Sequence, residues 1–363
     1  FCVGICKLCV FCLIFLVFVS RGLCQEPALI TLENVPSAKR IVADEPLRQR
    51  FSAEQAARYL DNTSLAWQKR RNCVTCHTNM AYLMARPALS EVLKDSGEVR
   101  GFFESYFMER WGKGKTPPKH AYNPVVVGSA LAFNDVQTSG KLSAITRQTL
   151  DMMWKTQRSD GGWDWAKCGW APMEIDDHFG VTLAALAVGI APGDYRKSEA
   201  AKKGMEKIRQ FLKDNRAHSL HHRMMLAWAS IRVDGLMEDS KRKEVLEEML
   251  SKQLDGGGWA TPAFLVDWKD YERMDKKPHD PNTPDAYGTG LAIIVAREMG
   301  IPAEDDRLQK GIKWLKNNQR QSGSWFTRSP AEDSKHYITN TGTAFAVLAL
   351  QSCGEFEGWP FGE

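Results

Sequence analysis

Apolar positions recur at helical spacing through most of this chain, in two alternating kinds of stretch. One kind is amphipathic. In Gly311-Ile-Lys-Trp-Leu-Lys-Asn-Asn-Gln319 the residues Ile312, Trp314 and Leu315 interrupt an otherwise polar run. The other kind is apolar nearly throughout, as in Thr182-Leu-Ala-Ala-Leu-Ala-Val188, Gly290-Leu-Ala-Ile-Ile-Val-Ala296 and Gly342-Thr-Ala-Phe-Ala-Val-Leu-Ala-Leu350. These three superimpose, a small residue first and Ala two positions later. A helix apolar on every side has to be buried, whereas an amphipathic one can face water on one side. The pattern predicts an αα-hairpin: a polar helix, a turn, then an apolar helix.

Between the two helices stands a short phrase, written three times: Gln157-Arg-Ser-Asp-Gly-Gly-Trp163, Gln253-Leu-Asp-Gly-Gly-Gly-Trp259 and Gln319-Arg-Gln-Ser-Gly-Ser-Trp325. Each keeps Gln, then Gly two residues before Trp, and fixed recurrence of this kind marks a repeat architecture. The Gly residues suit a turn because they accept positive φ. Trp can fold back over its own hairpin, and Gln can bond backbone groups of the next unit. Weaker copies fill the gaps. Gly204 to Phe211 matches the start at Gly311, with Leu220 to Ile231 as its apolar partner, and Ala56 to Trp67 with Ala81 to Leu93 is another pair. Val99 to Trp111 with Val125 to Phe133 is a further one. Six hairpins result, over roughly 50–93, 95–137, 142–190, 196–233, 241–300 and 305–352. Six hairpins with one apolar helix each can close into a double ring, and an all-α (α/α)6 barrel or toroid is the expected fold. An open solenoid fits the same periodicity but needs polar caps at both ends.

The three phrases resemble the Gln–Trp repeat of the squalene–hopene and oxidosqualene cyclases. That terpene-cyclase family, like the protein prenyltransferases, uses an α/α toroid. The resemblance covers roughly 50–352 and is more specific for the fold than for the reaction. Cyclases of that family carry two such helical domains and are nearly twice as long as this chain. The resemblance implies an apolar or isoprenoid substrate and acid catalysis, whereas fold alone does not fix a reaction.

Composition is ordinary for a large core, 43% apolar and 25% charged, so one region departs from the rest. Phe1 to Val19 is almost wholly apolar, and its Leu8 to Val19 core is too short for a comfortable membrane span. With the polar turn at Ser20 to Gln25 it reads as a secretory signal peptide over 1–24. An uncleaved single anchor is the alternative, which leaves membrane association open. An N-terminal extension over 25–49, the repeat domain over 50–355 and a tail over 356–363 complete the expected organisation. An exported, periplasmic or otherwise extracytoplasmic protein is expected. The net charge of +4, two units of it in Lys7 and Arg21 of the leader, lacks the strongly basic face of a nucleic-acid binder.

Four cysteines lie beyond Cys24: Cys73, Cys76, Cys168 and Cys353. Cys73-Val-Thr-Cys76-His77 is a C-x-x-C-H sequence, the attachment signature of c-type haem, in which two thiols add to vinyl groups and His77 supplies the axial nitrogen. Export fits that chemistry. A distal ligand would have to come from elsewhere, His120 or Met152 for instance, because Met80 and Met84 follow on the same helix as His77. A local disulfide or redox dithiol is an equal alternative in an oxidising compartment. Zinc is a third, although it needs two more ligands, and none is obvious.

Glu174-Ile-Asp176-Asp177-His178 follows the first phrase. Squalene–hopene cyclases carry Asp-x-Asp-Asp, whose middle Asp protonates the substrate alkene. By that resemblance Asp176 is the acid, flanked by Glu174 and Asp177, with Glu in place of the first Asp. An alkene-protonating acid needs a carboxyl held protonated by burial and by like charges. The bland alternative is an acidic cluster that opens a helix and complements its dipole, and Asp285 stands at the equivalent place in the fifth hairpin.

His218 and His222 are four apart and share a helix face. With His178 and Asp177 nearby they could hold a metal or shuttle protons, though such histidines are more often plain helix-start residues, and no metal site is assigned. Tyr82, Phe133, Phe179, Trp228, Tyr287 and Phe345 recur on the apolar helices. Phe179, Trp228 and Tyr287 are the expected substrate-binding aromatics, with ordinary core packing as the alternative. Asp267 to Pro284 is a polar insertion that the other hairpins lack, of a length often used for lids. Two classes of function therefore stand: an isoprenoid-type enzyme with acids at the ring's mouth, or a haem-bearing or purely binding protein on the same fold.

Overall fold

The computed structural model describes residues 29–112, 120–268 and 271–360, so the leader expected over 1–24 lies outside the described residues. The described residues contain no β-strand, only two isolated bridges. Their α-helices alternate between two layers. The outer ones are α1 (Ala53–Arg71), α3 (Glu98–Arg110), α5 (Ala144–Lys155), α7 (Glu199–Asp214), α9 (Asp239–Ser251) and α11 (Asp306–Asn317). The inner ones are α2 (Asn79–Ala85), α4 (Asn123–Thr138), α6 (Asp177–Ile190), α8 (Leu220–Arg232), α10 (Ala286–Glu298) and α12 (Ile338–Ser352). The outer helices bury one stripe: in α7 it is Ala201, Gly204, Met205, Ile208 and Phe211. Every residue of α12 is buried. The innermost layer is short in the first hairpin, where α2 gives way to a 3-10 turn at Arg86–Leu89 because Pro87 cannot donate the next helical bond.

The inner helices touch in a closed cycle, α2 on α4, α4 on α6, α6 on α8, α8 on α10, α10 on α12 and α12 back on α2. The chain is an α/α toroid. No helix of the described residues is long and apolar enough to cross a membrane.

The three phrases do the same work in the same way. Trp163, Trp259 and Trp325 are fully buried, and their indole N–H groups donate to the carbonyls of Met153, Met249 and Leu315, ten residues back in each case. Gln157 donates to Gly161 O of its own turn and Gly204 O of the next outer helix. Gln253 donates to Gly257 O and Arg307 O. Gln319 donates to Gly323 O and to Ser52 O, so for the last copy the next unit is the first one. Ser52 N returns a 2.7 Å bond to Gln319 Oε1. The same glutamine that couples neighbours elsewhere closes the ring here.

The glycine two residues before each Trp has φ of 93°, 92° and 95°. A Cβ there would stand 2.1, 2.6 and 2.0 Å from the carbonyl oxygens of Lys207, Lys310 and Gln55. Left-handed backbone and close approach to the next outer helix both require glycine.

Candidate functional site at the mouth of the ring

Each inner helix is reached through an outer helix running back, so all six inner helices point the same way and their N-termini share one mouth. Side chains confirm the gathering. Asn340 of α12 donates to Thr78 at the start of α2, His221 of α8 meets Tyr287 of α10 at 2.8 Å, and His222 of α8 lies against Asp176 before α6. The positive ends of the helix dipoles converge there, which favours carboxylates and other anions.

Asp176, Ser219 and Asp285 are the N-caps of α6, α8 and α10. Asp176 Oδ1 accepts from His178 N and Phe179 N, while Asp176 Oδ2 lies 3.2 Å from His222 Nε2 without the alignment of a hydrogen bond. His222 Nδ1 is 2.7 Å from Ser219 Oγ. The rings of His178 and His222 cross at 5.1 Å. Trp268, from the insertion, covers this group: it packs edge-on against His222 at 4.7 Å and stacks on His218 at 6.0 Å.

Three buried ring nitrogens of the group have no hydrogen-bond partner, both of His178 and Nδ1 of His221, while Asp176 Oδ2 and His222 Nε2 face only each other. Burial lowers the pKa of His178 to about 3, with the nearby His222 acting in the same direction, so its imidazole is neutral. His221 is held neutral in the same way. Burial pushes the Asp176 carboxyl up, but His222, His178 and the amides at the start of α6 outweigh it and bring it down to about 2. In this arrangement Asp176 is a carboxylate, a poor match for the alkene-protonating acid that the resemblance implies. Asp285 is the protonation-prone carboxyl, raised to about 6 by burial, yet its oxygens are bonded by Thr261, Gly288 and Thr327. Among the described residues no three His, Cys, Asp or Glu side chains converge as a metal site.

The flanking acids go elsewhere. Asp177 pairs with Arg158 at 2.8 Å and Lys167 at 3.2 Å, tying the first phrase to its inner helix. Glu174 turns toward the first hairpin and accepts from Cys76 Sγ at 3.0 Å. The aromatics stack down the axis. Phe179 meets His221 at 6.2 Å, His221 meets Tyr287 at 5.7 Å, Tyr287 meets Phe345 at 5.0 Å, Phe345 meets Trp228 at 6.4 Å, and Trp228 meets Phe133 at 5.9 Å. Trp228 and Tyr287 are 1% and 0% exposed, so they fill the axis with one another.

The C-x-x-C-H motif occupies the turn before α2. Cys73 is half-buried and Cys76 buried, and both are unpaired thiols. Burial first, and then the Glu174 carboxylate, pushes the Cys76 thiol well above its ordinary value. Cys168 joins the same carboxylate from the loop after the first phrase. His77 stacks on Tyr337 at 5.3 Å and meets Trp67 edge-on at 4.9 Å. Its Nδ1 is 2.9 Å from Thr78 Oγ1, which accepts from Asn340, whose Oδ1 accepts from Tyr59. A metal-bound histidine is commonly held through its second nitrogen in this way. The available space points the other way. The cavity against His77, lined also by Met173, Glu174, Trp170 and Tyr337, holds about 10 Å³, room for one water and not for a porphyrin. As folded, these residues do not fit a c-type haem. Neither His120 nor Met152 lines that cavity.

The insertion is a roof. Tyr271 Oη donates to Pro330 O, Met274 N to Ala331 O, and the buried Arg273 bridges Asp275 and Asp333 at 2.8 Å each. These contacts lock it to the loop before α12 and hold Trp268 over His222.

No protein-family model matches the chain, and no curated protein matches it. Solved structures do. A possible member of the GH105 family from Klebsiella pneumoniae subsp. pneumoniae MGH 78578 aligns with 87% of this chain and 98% of its own, at 13% identity and a TM-score of 0.47. The GH76A alpha-1,6-mannanase from Salegentibacter sp. HEL1_6 aligns with 82% of this chain and 100% of its own, at 11% identity and 0.47. A glycosidase in complex with glucose aligns with 83% and 85%, at 9% and 0.43. None of these three is a terpene cyclase. Similarity at this level leaves the function to be read from the site.

Proposed function

We propose that the protein is a general acid–base enzyme whose site lies beneath the roof at the mouth, built on Asp176, His178 and His222. The observation that carries this reading is the set of buried ring nitrogens without a partner, both of His178 and Nδ1 of His221, beside the Asp176–His222 pair. Buried polar groups in native proteins are nearly always bonded, and each exception needs an explanation. A polar organic substrate with hydroxyl or amide groups supplies the missing partners. At neutral pH Asp176 is ionised and the His178 ring carries no charge, so each can accept a hydrogen bond from a water or a substrate hydroxyl and orient it for attack. Tyr287, held protonated by burial and 2.8 Å from His221, is a hydrogen-bond donor in the same set.

The alternative of isoprenoid cyclisation needs Asp176 protonated, which its neighbours oppose, and an open axis, which the aromatic column fills. A panel of glycosides, carboxylic esters and linear isoprenoids separates the readings. Turnover of a polar member that Asp176→Asn and His178→Ala each abolish, with melting temperature kept within a few degrees, is expected. Cyclised isoprenoid products would overturn the proposal. So would the absence of turnover together with unchanged imidazole NMR signals of His178 and His222 in every mixture.

A further inference from the structure

A second cleft lies on the rim where the ring closes and shares no lining residue with the Asp176 group. The segment Pro36 to Ile41 crosses in front of α1 and the start of α12, and the cleft beneath it encloses about 610 Å³. That is the range of sites for small organic ligands. We propose that this seam cleft binds a small organic anion whose ring offers an apolar face and which carries a hydroxyl or N–H donor, the chemistry shared by acidic sugars and nucleotides.

The charge of the cleft selects an anion. Lys39, Arg40, Arg70 and Lys335 line it, and no Asp or Glu does. Over the whole chain 48 Lys and Arg nearly balance 44 Asp and Glu, so four cations to no acid is a local excess. Elsewhere on the protein Arg and Lys are extensively paired, as Arg158 and Arg273 show. Here Lys335 reaches Glu332 at a loose 3.5 Å, and Lys39, Arg40 and Arg70 meet no carboxylate among the described residues. Unpaired guanidinium forks match phosphate and carboxylate oxygens two at a time.

Shape and polarity select the ring and the donor. Tyr59, Trp67 and Tyr337 are walls of the cleft. Aromatic walls give an aqueous anion an apolar side to lie on, whether a planar base or the C–H face of a pyranose. Asn62 also lines it, and Asn62 Oδ1 is buried without a partner, an acceptor awaiting a donor. An apolar anion would leave that oxygen unsatisfied. A ligand here would bridge α1, α12 and the N-terminal segment, the pieces that close the ring, so binding should raise the melting temperature.

Four probes test the site: AMP against adenosine, and a galacturonic acid disaccharide against cellobiose. Calorimetry and thermal shift should show at least one charged probe binding with a dissociation constant below about 1 mM, where its neutral partner does not. Arg40→Glu with Arg70→Glu should weaken that binding tenfold or more. Asp176→Asn should leave it unchanged, so that failure here and failure of the mouth chemistry are told apart. If the charge-reversed protein does not fold, Arg40→Gln with Arg70→Gln replaces it, with a smaller loss expected. Failure of both charged probes, equal binding of a neutral partner, or binding unmoved by the arginine changes would each overturn the proposal. Which charged probe binds tells sugar from nucleotide.

Discussion

The thiol of Cys76 donates to the carboxylate of Glu174 at 3.0 Å, across 98 positions of sequence. That one contact joins the C-x-x-C-H turn of the first hairpin to the acidic run before α6. A thiolate, not a thiol, is the nucleophile and the metal ligand. Glu174 opposes thiolate formation at Cys76, and at Cys168 as well.

Glu174→Gln should therefore raise thiol reactivity. Cys168 is exposed, so its alkylation by iodoacetamide near pH 8 reads the effect directly. Removing the carboxylate charge should lower both thiol pKa values, and Cys168 should react several-fold faster in the variant. Peptide mass spectrometry follows the rate, and equal rates in the two proteins would remove Glu174 from this role.

Ring closure should depend on Gln319 more than hairpin coupling depends on Gln253. Gln319→Ala deletes both bonds to Ser52, one donated and one accepted, at a cost of about 1–3 kcal/mol. Hydrogen exchange should quicken first in α1. Gly323→Ala should cost more, because φ of 95° and a Cβ 2.0 Å from Gln55 O leave no relaxed position. Urea midpoints that match the wild type would show that the seam is held by other contacts.

Acid should weaken the mouth through His178. Its folded pKa, about 3, lies below the ordinary histidine value, so the unfolded chain binds more protons between the two. The neutral ring's contribution is complete above the unfolded value near 6.5 and is lost as pH falls toward 3. Melting temperature should climb from pH 4 to pH 7, and His178→Gln should flatten that climb. Asp176 acts in a lower window, between its ordinary value and about 2, so it does not mask the effect. A wild-type profile level from pH 4 to 7 would contradict the buried neutral imidazole.

Arg273→Ala should free the roof. Asp333 keeps Arg328 and Lys277, so the fold survives, but the insertion loses its central tie. Proteolysis within 267–284 should accelerate, and exchange at Trp268 should rise while the inner helices stay protected. Unchanged cleavage would mean that Tyr271 and Met274 suffice to hold it.

The periodic alternation of amphipathic and apolar stretches determined the hairpins, because a helix apolar all round has nowhere to lie but inside. The phrases at Gln157, Gln253 and Gln319 determined their coupling, since glutamine, glycine and tryptophan at fixed spacing make the same bonds wherever they recur. Local caps were legible too: Asp176 and Asp285 precede the apolar stretches whose first amides they accept. Closure was expected from six hairpins and from the family resemblance, but periodicity is the same for a ring and a spiral, and the contact that closes it, Gln319 to Ser52, joins the two ends of the repeat array. The site was legible in part. His218 and His222 share a helix face by their spacing, with His178 opening the neighbouring helix, but Trp268 above them comes from an insertion without periodicity. Glu174 and Asp176 are two residues apart yet serve different neighbours, Cys76 and His222, because Glu174 ends a tight turn from Trp170 whereas Asp176 caps α6. Which carboxyl loses its proton last as pH rises was decided by tertiary structure alone, for pKa depends on burial and on charges brought from elsewhere in the chain.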